Sequence, residues 1–342
     1  MNQSKTPLEL NFRMPAEWTK HEATWLSWPK DPLTFPDDII DRVEQIYVEI
    51  IESLRVGERV ELLVDDEKTE DKVSSMLSSK NNLRFHRIKS ADVWMRDYGP
   101  IFIKNSEVAA TKWIFNAWGK KYDELLTDDH TGIEICNVTK FKTFEPRIVL
   151  EGGSIDTNGY RTCITTRQCL LNSNRNPSLS EKEIEKYLGD YLGFTNFIWL
   201  SNGIAGDDTD GHVDDIARFV NESTVVCMVE KEKDDENFPA LMRNYETLRQ
   251  SKDADGDPLH VVTIDMPRKV ETEDGRLPAS YANFYIGNSA VLVPVFGDSD
   301  RDEEALGTIG SFFPGRNTVG INCRDLVYGF GGIHCVTQQQ PA

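Results

Sequence analysis

The sequence predicts an α/β fold: one strand–hairpin–strand–helix–strand unit, repeated about five times around an axis to make a propeller-like disc. Three observations carry this. Short apolar runs alternate with helix-like stretches along the 342 residues. The runs come in pairs joined by tight turns. The pairing then recurs with a loose period of about 60 residues, and a repeat takes precedence over the two-domain split that length alone would suggest. The chain is accordingly expected to form a single domain spanning residues 1–342.

The elements follow in chain order. HEATWLSWP (21–29), ahead of a helix expected over 37–55, is a degenerate first copy, continued by RVELLVD (59–65) and a helix over 67–79. IFIKNSEVAATKW (101–113) folds back at Lys104–Glu107, and RIVL (147–150) supplies a strand. SIDTNGYRTCITT (154–166) folds back at Asn158-Gly159, a dipeptide that favours a type I′ hairpin. The helix over 179–192 opens with Ser180 and has Glu183 three residues later, a capping-box signature. ARFVNESTVVCMV (217–229) turns at Asn221–Ser223 and leads to a helix over 236–251 and the strand LHVVTI (259–264). FYIGNSAVLVPVF (284–296) turns at Gly287-Asn288; a less regular helix near 302–313 and the strand IHCVT (333–337) complete the pattern.

Composition narrows the function. The apolar fraction of 39% is enough for a sizeable core, and a net charge of −19 repels nucleic acid and anionic membrane surfaces while suiting a small cationic substrate. MNQSKTPLELNFRMP has no apolar stretch of signal-peptide type, and no run of 18 apolar residues would span a membrane. Six cysteines, at 136, 163, 169, 227, 323 and 335, form no CxxC pair and are too sparse for a disulfide framework. The expected setting is the reducing cytoplasm. Cys163, Cys169 and Cys227, in or beside strand-like runs, read as small core hydrophobes. Self-association into a homo-oligomer is left open.

The unusual polar residues fall just before the first strand of each hairpin: Asp97, Glu151, His212 with Asp214, and Tyr281 with Asn283. Equivalent positions of repeats around an axis meet near that axis, so one site built from distant segments is expected. In ADVWMRDYGP (91–100), Trp94 and Asp97 could form a wall and a carboxylate for a planar cation, since a carboxylate accepts two parallel N–H bonds from a guanidinium. Trp118, in FNAWGKKY, is a second candidate wall. The alternative is a core tryptophan and an ordinary Asp–Arg pair. In DDTDGHVDD (207–215) the spacing fails an EF-hand, and His212 has no second histidine at zinc-ligand spacing, so no metal is expected. His212 and Asp214, two apart in an extended segment, would project to one side as an acid/base pair; a solvated acidic loop is the competing reading. Cys335 follows Gly329, Gly331 and Gly332 and is either a core cysteine or a nucleophile with a distant base. His334 would face away from it in a strand and reads as a structural, hydrogen-bonded histidine. Carboxylates around a thiol oppose a thiolate unless a cation is bound, and a guanidinium supplies both that cation and an electrophile.

With these residues assembled, a resemblance is plain. MPAEWTKHEATWLSWP, WMRDYGPIFI, FNAWGKKY, LEGGSIDTNG, DTDGHVDDIARFV, YANFYIGNSAVLVPVF and GGIHCVTQQQP run in order from residue 14 to 341. They resemble the agmatine deiminase family, related to bacterial peptidyl-arginine deiminases within the guanidine-modifying pentein superfamily. The resemblance implies the five-fold pseudosymmetric pentein propeller. It also implies cofactor-free hydrolysis of agmatine to N-carbamoylputrescine and ammonia, a step toward putrescine. By motif it implies Cys335 as nucleophile, His212 as general acid/base, and Asp97 and Asp214 as the carboxylates that hold the guanidinium. Trp94, Glu151 and Asp208 would line the substrate channel. Deimination of peptidyl or free arginine, and a non-catalytic pentein acting as a binding protein, are the alternatives. Retention of all four core residues argues against the last.

Overall fold

The computed structural model describes residues 5–342 and shows a mixed α/β fold. Its first sheet contains β1 (His21–Ser27), β2 (Arg59–Val64) and β3 (Leu83–Arg87), paired in parallel through the helices Ile40–Leu54 and Glu67–Met76. Parallel neighbours need such crossovers, because a tight turn reverses the chain. Four further sheets share one pattern: an antiparallel pair joined by a short turn, then a helix, then a strand parallel to the second. They are β4 (Ile101–Lys104), β5 (Val108–Thr111) and β6 (Lys142–Phe144); β7 (Ile155–Thr157), β8 (Thr162–Thr166) and β9 (Asn196–Leu200); β10 (Ala217–Phe219), β11 (Thr224–Val229) and β12 (His260–Asp265); and, after a small hairpin of β13 (Glu271–Thr272) and β14 (Gly275–Arg276), β15 (Tyr285–Ile286), β16 (Ala290–Val295) and β17 (Asn317–Asn322). Finally β18 (Gln338–Pro341) lies antiparallel to β1, so the first sheet gains the same pattern with its outer partner drawn from the far end of the sequence. No helix among the described residues is long and apolar enough to cross a membrane.

The middle strands β11 and β16 are buried along almost their whole length, which is why they read as continuous apolar runs rather than alternating ones. The expected helices are found at Ile40–Leu54, Glu67–Met76, Glu181–Leu192, Phe238–Gln250 and Ser299–Ser311. Ser180 caps the third through a complete capping box.

Four local expectations are corrected. RIVL (147–150) contributes only a single bridge, Ile114 to Val149, and the strand in that unit is instead β6. The Asn158-Gly159 turn is not type I′: only Gly159 of the pair has positive φ (69°), and Arg161 has the other (69°). Asn158 Oδ1 braces this wider loop by accepting from the backbone of Tyr160 at 2.8 Å and Thr162 at 3.2 Å. IHCVT is a turn over residues 333–336 that precedes β18, so Cys335 sits on a bend and not in a strand. His212 is likewise the residue before a single 3₁₀ turn, Val213–Asp215, rather than part of an extended segment.

Candidate active site

The polar residues that precede the hairpins converge. Asp97 lies in the one-turn helix Met95–Tyr98 ahead of β4, and its Oδ1 accepts from the backbone N–H of Gly153, ahead of β7, at 3.0 Å. The same oxygen is 3.7 Å from His212 Nδ1, ahead of β10. Asn283, ahead of β15, donates through Nδ2 to Cys335 Sγ at 3.1 Å and accepts through Oδ1 from the backbone of His334 at 2.8 Å. The Cys335 thiol is 3.8 Å from Asp214 Oδ2.

Cys335 opens onto a cavity of about 230 Å³. Trp94, Asp97, Trp118 and Asp208 line the same cavity, together with Asp31, Asp92, Glu124 and Asp274. No lysine or arginine is among the described lining residues. His212 and Asp214 stand behind the thiol and are not in the wall. Each keeps one buried atom without a hydrogen-bond partner, His212 Nε2 and Asp214 Oδ1. Unpartnered buried polar atoms are uncommon and call for an explanation.

Glu151 is placed differently from the expectation. It is fully buried and not part of the cavity wall, because Arg175 Nε holds its Oε1 at 2.6 Å on the protein side. Its second oxygen is unpartnered. Glu151, Cys169 and His212 offer ligand atoms within 4.8 Å of one another. The guanidinium of Arg175 against Glu151 disfavours a metal cation there.

Trp118 reaches the site by an unusual backbone. Ala117, Trp118, Gly119 and Lys120 have φ of 52°, 51°, 89° and 64°, a left-handed turn that costs each non-glycine residue about 1–2 kcal/mol. Asn116 braces it by accepting from Gly119 N at 2.8 Å, and the result aims Trp118 Nε1 at Asp97 Oδ2, 2.9 Å away. Trp94 is held on the opposite side by a bond from its Nε1 to Asp92 Oδ2 at 2.8 Å. Farther out, Tyr122 donates to Asp208 Oδ2 at 2.5 Å.

The electrostatics follow from burial. Burial pushes the Cys335 thiol well above the usual cysteine range, and Asp214, Asp215 and Asp97 push it further. Burial also raises Asp97, with Asp214 and Glu151 adding to the rise and His212 opposing it. For His212, burial disfavours the imidazolium, but Asp97, Cys169 and Asp214 outweigh it and hold the ring well above its ordinary value. Asp208 is pushed up to about 6 and Asp92 to about 7, both by burial first. These directions favour a protonated thiol and a charged His212 imidazole, at a cavity whose described lining residues include six carboxylates and no lysine or arginine.

Sequence reading missed the part of Asn283 as a clamp on the Cys335 turn, although its place ahead of β15, matching Asp97 and His212, was the available signal. It also missed Glu17, whose Oε2 is 2.9 Å from His334 Nε2. His334 is indeed buried and hydrogen-bonded, and its Nδ1 meets Asp214 Oδ2 at 2.7 Å.

Known proteins resemble this chain over nearly its whole length. A plant protein of Medicago truncatula named agmatine deiminase is 34% identical over 376 residues, covering 100% of both chains. A structure titled as the agmatine deiminase of Enterococcus faecalis catalysing its reaction superposes with a TM-score of 0.90 at 31% identity, covering 99% of this chain and 98% of that one. A C. jejuni agmatine deiminase structure titled as having substrate bound gives a TM-score of 0.88 at 28% identity, covering 97% of this chain and 96% of that one. The model of the Porphyromonas-type peptidyl-arginine deiminases matches residues 13–341, nearly the full length, and the chain belongs to that family.

Proposed function

We propose that the protein is an agmatine deiminase, hydrolysing agmatine to N-carbamoylputrescine and ammonia. The observation that carries this reading is the cavity itself: a thiol at its base, six carboxylates in its wall and no lysine or arginine among the described lining residues. A dication with a guanidinium at one end and an ammonium at the other complements that wall. The carboxylate of free arginine would instead face Asp31, Glu124, Asp208 and Asp274 without a cationic partner.

In this reading Asp97 and Asp214 hold the guanidinium, with the unpartnered Asp214 Oδ1 as one acceptor. The bound cation offsets the carboxylates that oppose ionisation of Cys335, whose proton leaves to solvent, and the thiolate attacks the guanidinium carbon. His212, charged at rest, gives its proton to the departing ammonia and leaves an S-alkylthiouronium. It then takes a proton from the attacking water; collapse of the adduct expels the thiolate, and the remaining hydroxyl proton passes to that sulfur, restoring the thiol and releasing the neutral carbamoyl group. Trp94 and Trp118 cover the alkyl chain, and Asp208, bonded to Tyr122, faces the amine. No metal or organic cofactor takes part in this scheme. We further propose that the five sheets surround a common axis as the pentein propeller, that the chain is one domain, and that the enzyme serves putrescine synthesis in the cytoplasm.

The family's description favours a second reading, deimination of arginine within peptides. Ammonia release from agmatine, free arginine and an arginine-containing peptide, with Cys335→Ala as control, separates the two. Turnover of agmatine alone is expected. Turnover of the peptide in preference would replace the reading, and silence on all three would leave a binding protein.

A further inference from the structure

We infer that His334 is a positioning residue of this reaction: an imidazolium clamped between Asp214 and Glu17, it keeps Asp214 ionised and fixes that carboxylate beside the Cys335 thiol. The inference rests on the deiminase reading above.

His334 Nδ1 is 2.7 Å from Asp214 Oδ2 and its Nε2 is 2.9 Å from Glu17 Oε2. Ionised carboxylates only accept, so both ring nitrogens must donate, and an imidazole with two N–H groups is a cation. The surrounding charges agree. Arg218 bonds Glu17 at 2.9 Å and Asp156 at 2.7 Å, and Arg96 reaches Glu17 at 3.4 Å. Glu17, Asp156 and Asp214 thus share one buried region with the guanidiniums of Arg218 and Arg96 and with the ring of His334. The clamp occupies Asp214 Oδ2 and leaves Oδ1 without a partner. The backbone that carries the ring is held as well, its N–H by Asn283 Oδ1 at 2.8 Å and its carbonyl by Arg96 Nε at 3.2 Å.

The two carboxylates proposed to hold the substrate have different surroundings. Burial alone would raise Asp214, but the bond and charge of His334, then His212 and Arg218, bring it below its ordinary value. Asp97 has no such clamp and is raised. Asp97, Asp215, Cys335 and Arg96 also act on Asp214.

The test uses Cys335→Ala protein, so that no thiol titrates, and measures agmatine binding by calorimetry between about pH 5 and pH 9. Asp92, Asp97 and Asp208 contribute to both curves, so the comparison is between His334 and His334→Gln on that background. His334→Gln keeps the volume and one donor and loses the charge. The expected result is an acid-side loss of binding displaced upward by about one pH unit or more, with affinity recovered at high pH. An equal loss of affinity at every pH would overturn the inference, since it would mark a purely structural role. Should His334→Gln fail to fold, neutron diffraction from deuterium-exchanged crystals of the unaltered protein decides: deuterium on both ring nitrogens of His334 supports the clamp, and deuterium on one overturns it. If Cys335→Ala binds no agmatine at any pH, the deiminase reading fails separately, and the deuterium count still tests the charged clamp.

Discussion

As the proposed nucleophile, Cys335 is held in reserve by its surroundings, with burial and three carboxylates opposing its ionisation. Only a group as acidic as a thiol can be rescued from that by one bound cation, so Cys335→Ser should lower kcat by at least about 10³-fold. Residual turnover above a few per cent would rule out the covalent route. Asp97→Asn and Asp214→Asn each remove a charge-assisted bond of about 1.5–3 kcal/mol, equivalent to about 10- to 150-fold in kcat/KM, with the fold intact by circular dichroism. A near-normal kcat/KM in either would release that residue from its role. Asp208 supplies a pH dependence. Its folded value of about 6 means that it loses its charge as pH falls through that range, so KM for agmatine should rise below pH 6. In Asp208→Asn the rise should shrink to the part that Asp92, pushed up to about 7 in the same wall, contributes; an undiminished acid limb in the variant would assign it to another group.

At the scale of elements, the turn that carries Cys335 is shaped by close packing. A side-chain carbon at Gly331 would overlap the ring of Trp94, so Gly331→Ala should displace that wall and raise KM more than it lowers kcat. Unchanged KM would mean that Trp94 does not touch substrate. The sequence made some elements readable and others not, for physical reasons. Glu181–Leu192 announces itself by its cap and apolar stripe, and β11 and β16 by their unbroken apolar runs. The helix Asp128–Thr139 was invisible, because its sequence DDHTGIEICNVT has little amphipathic contrast and a glycine at its centre. The convergence of Asp97, His212 and Asn283 could be anticipated from their matching places in a repeat. The left-handed turn at Ala117–Lys120, the burial of Glu151 against Arg175 and the Glu17–His334 bond could not. Each depends on a backbone conformation or on a partner that local pattern does not encode; Glu17 and His334 are 317 residues apart.

For the whole molecule, the net charge of −19 and the acidic mouth together form a field that draws in dications. Raising ionic strength from about 0.05 to 0.5 M should therefore lower kcat/KM for agmatine severalfold, chiefly through KM. A flat salt dependence would show that the field plays no part in capture. The pairing of β18 with β1 has a consequence in time. During synthesis the largely buried strand His21–Ser27 acquires one neighbour early, β2, and waits for the other until residues 338–341 emerge. At about 5–20 residues per second that delay is roughly 15–60 s, during which an open strand edge invites pairing with other chains. Cys335 emerges three residues before β18 begins. The nascent chain is thus at its most aggregation-prone while it is still catalytically inert, and one late segment ends both conditions together.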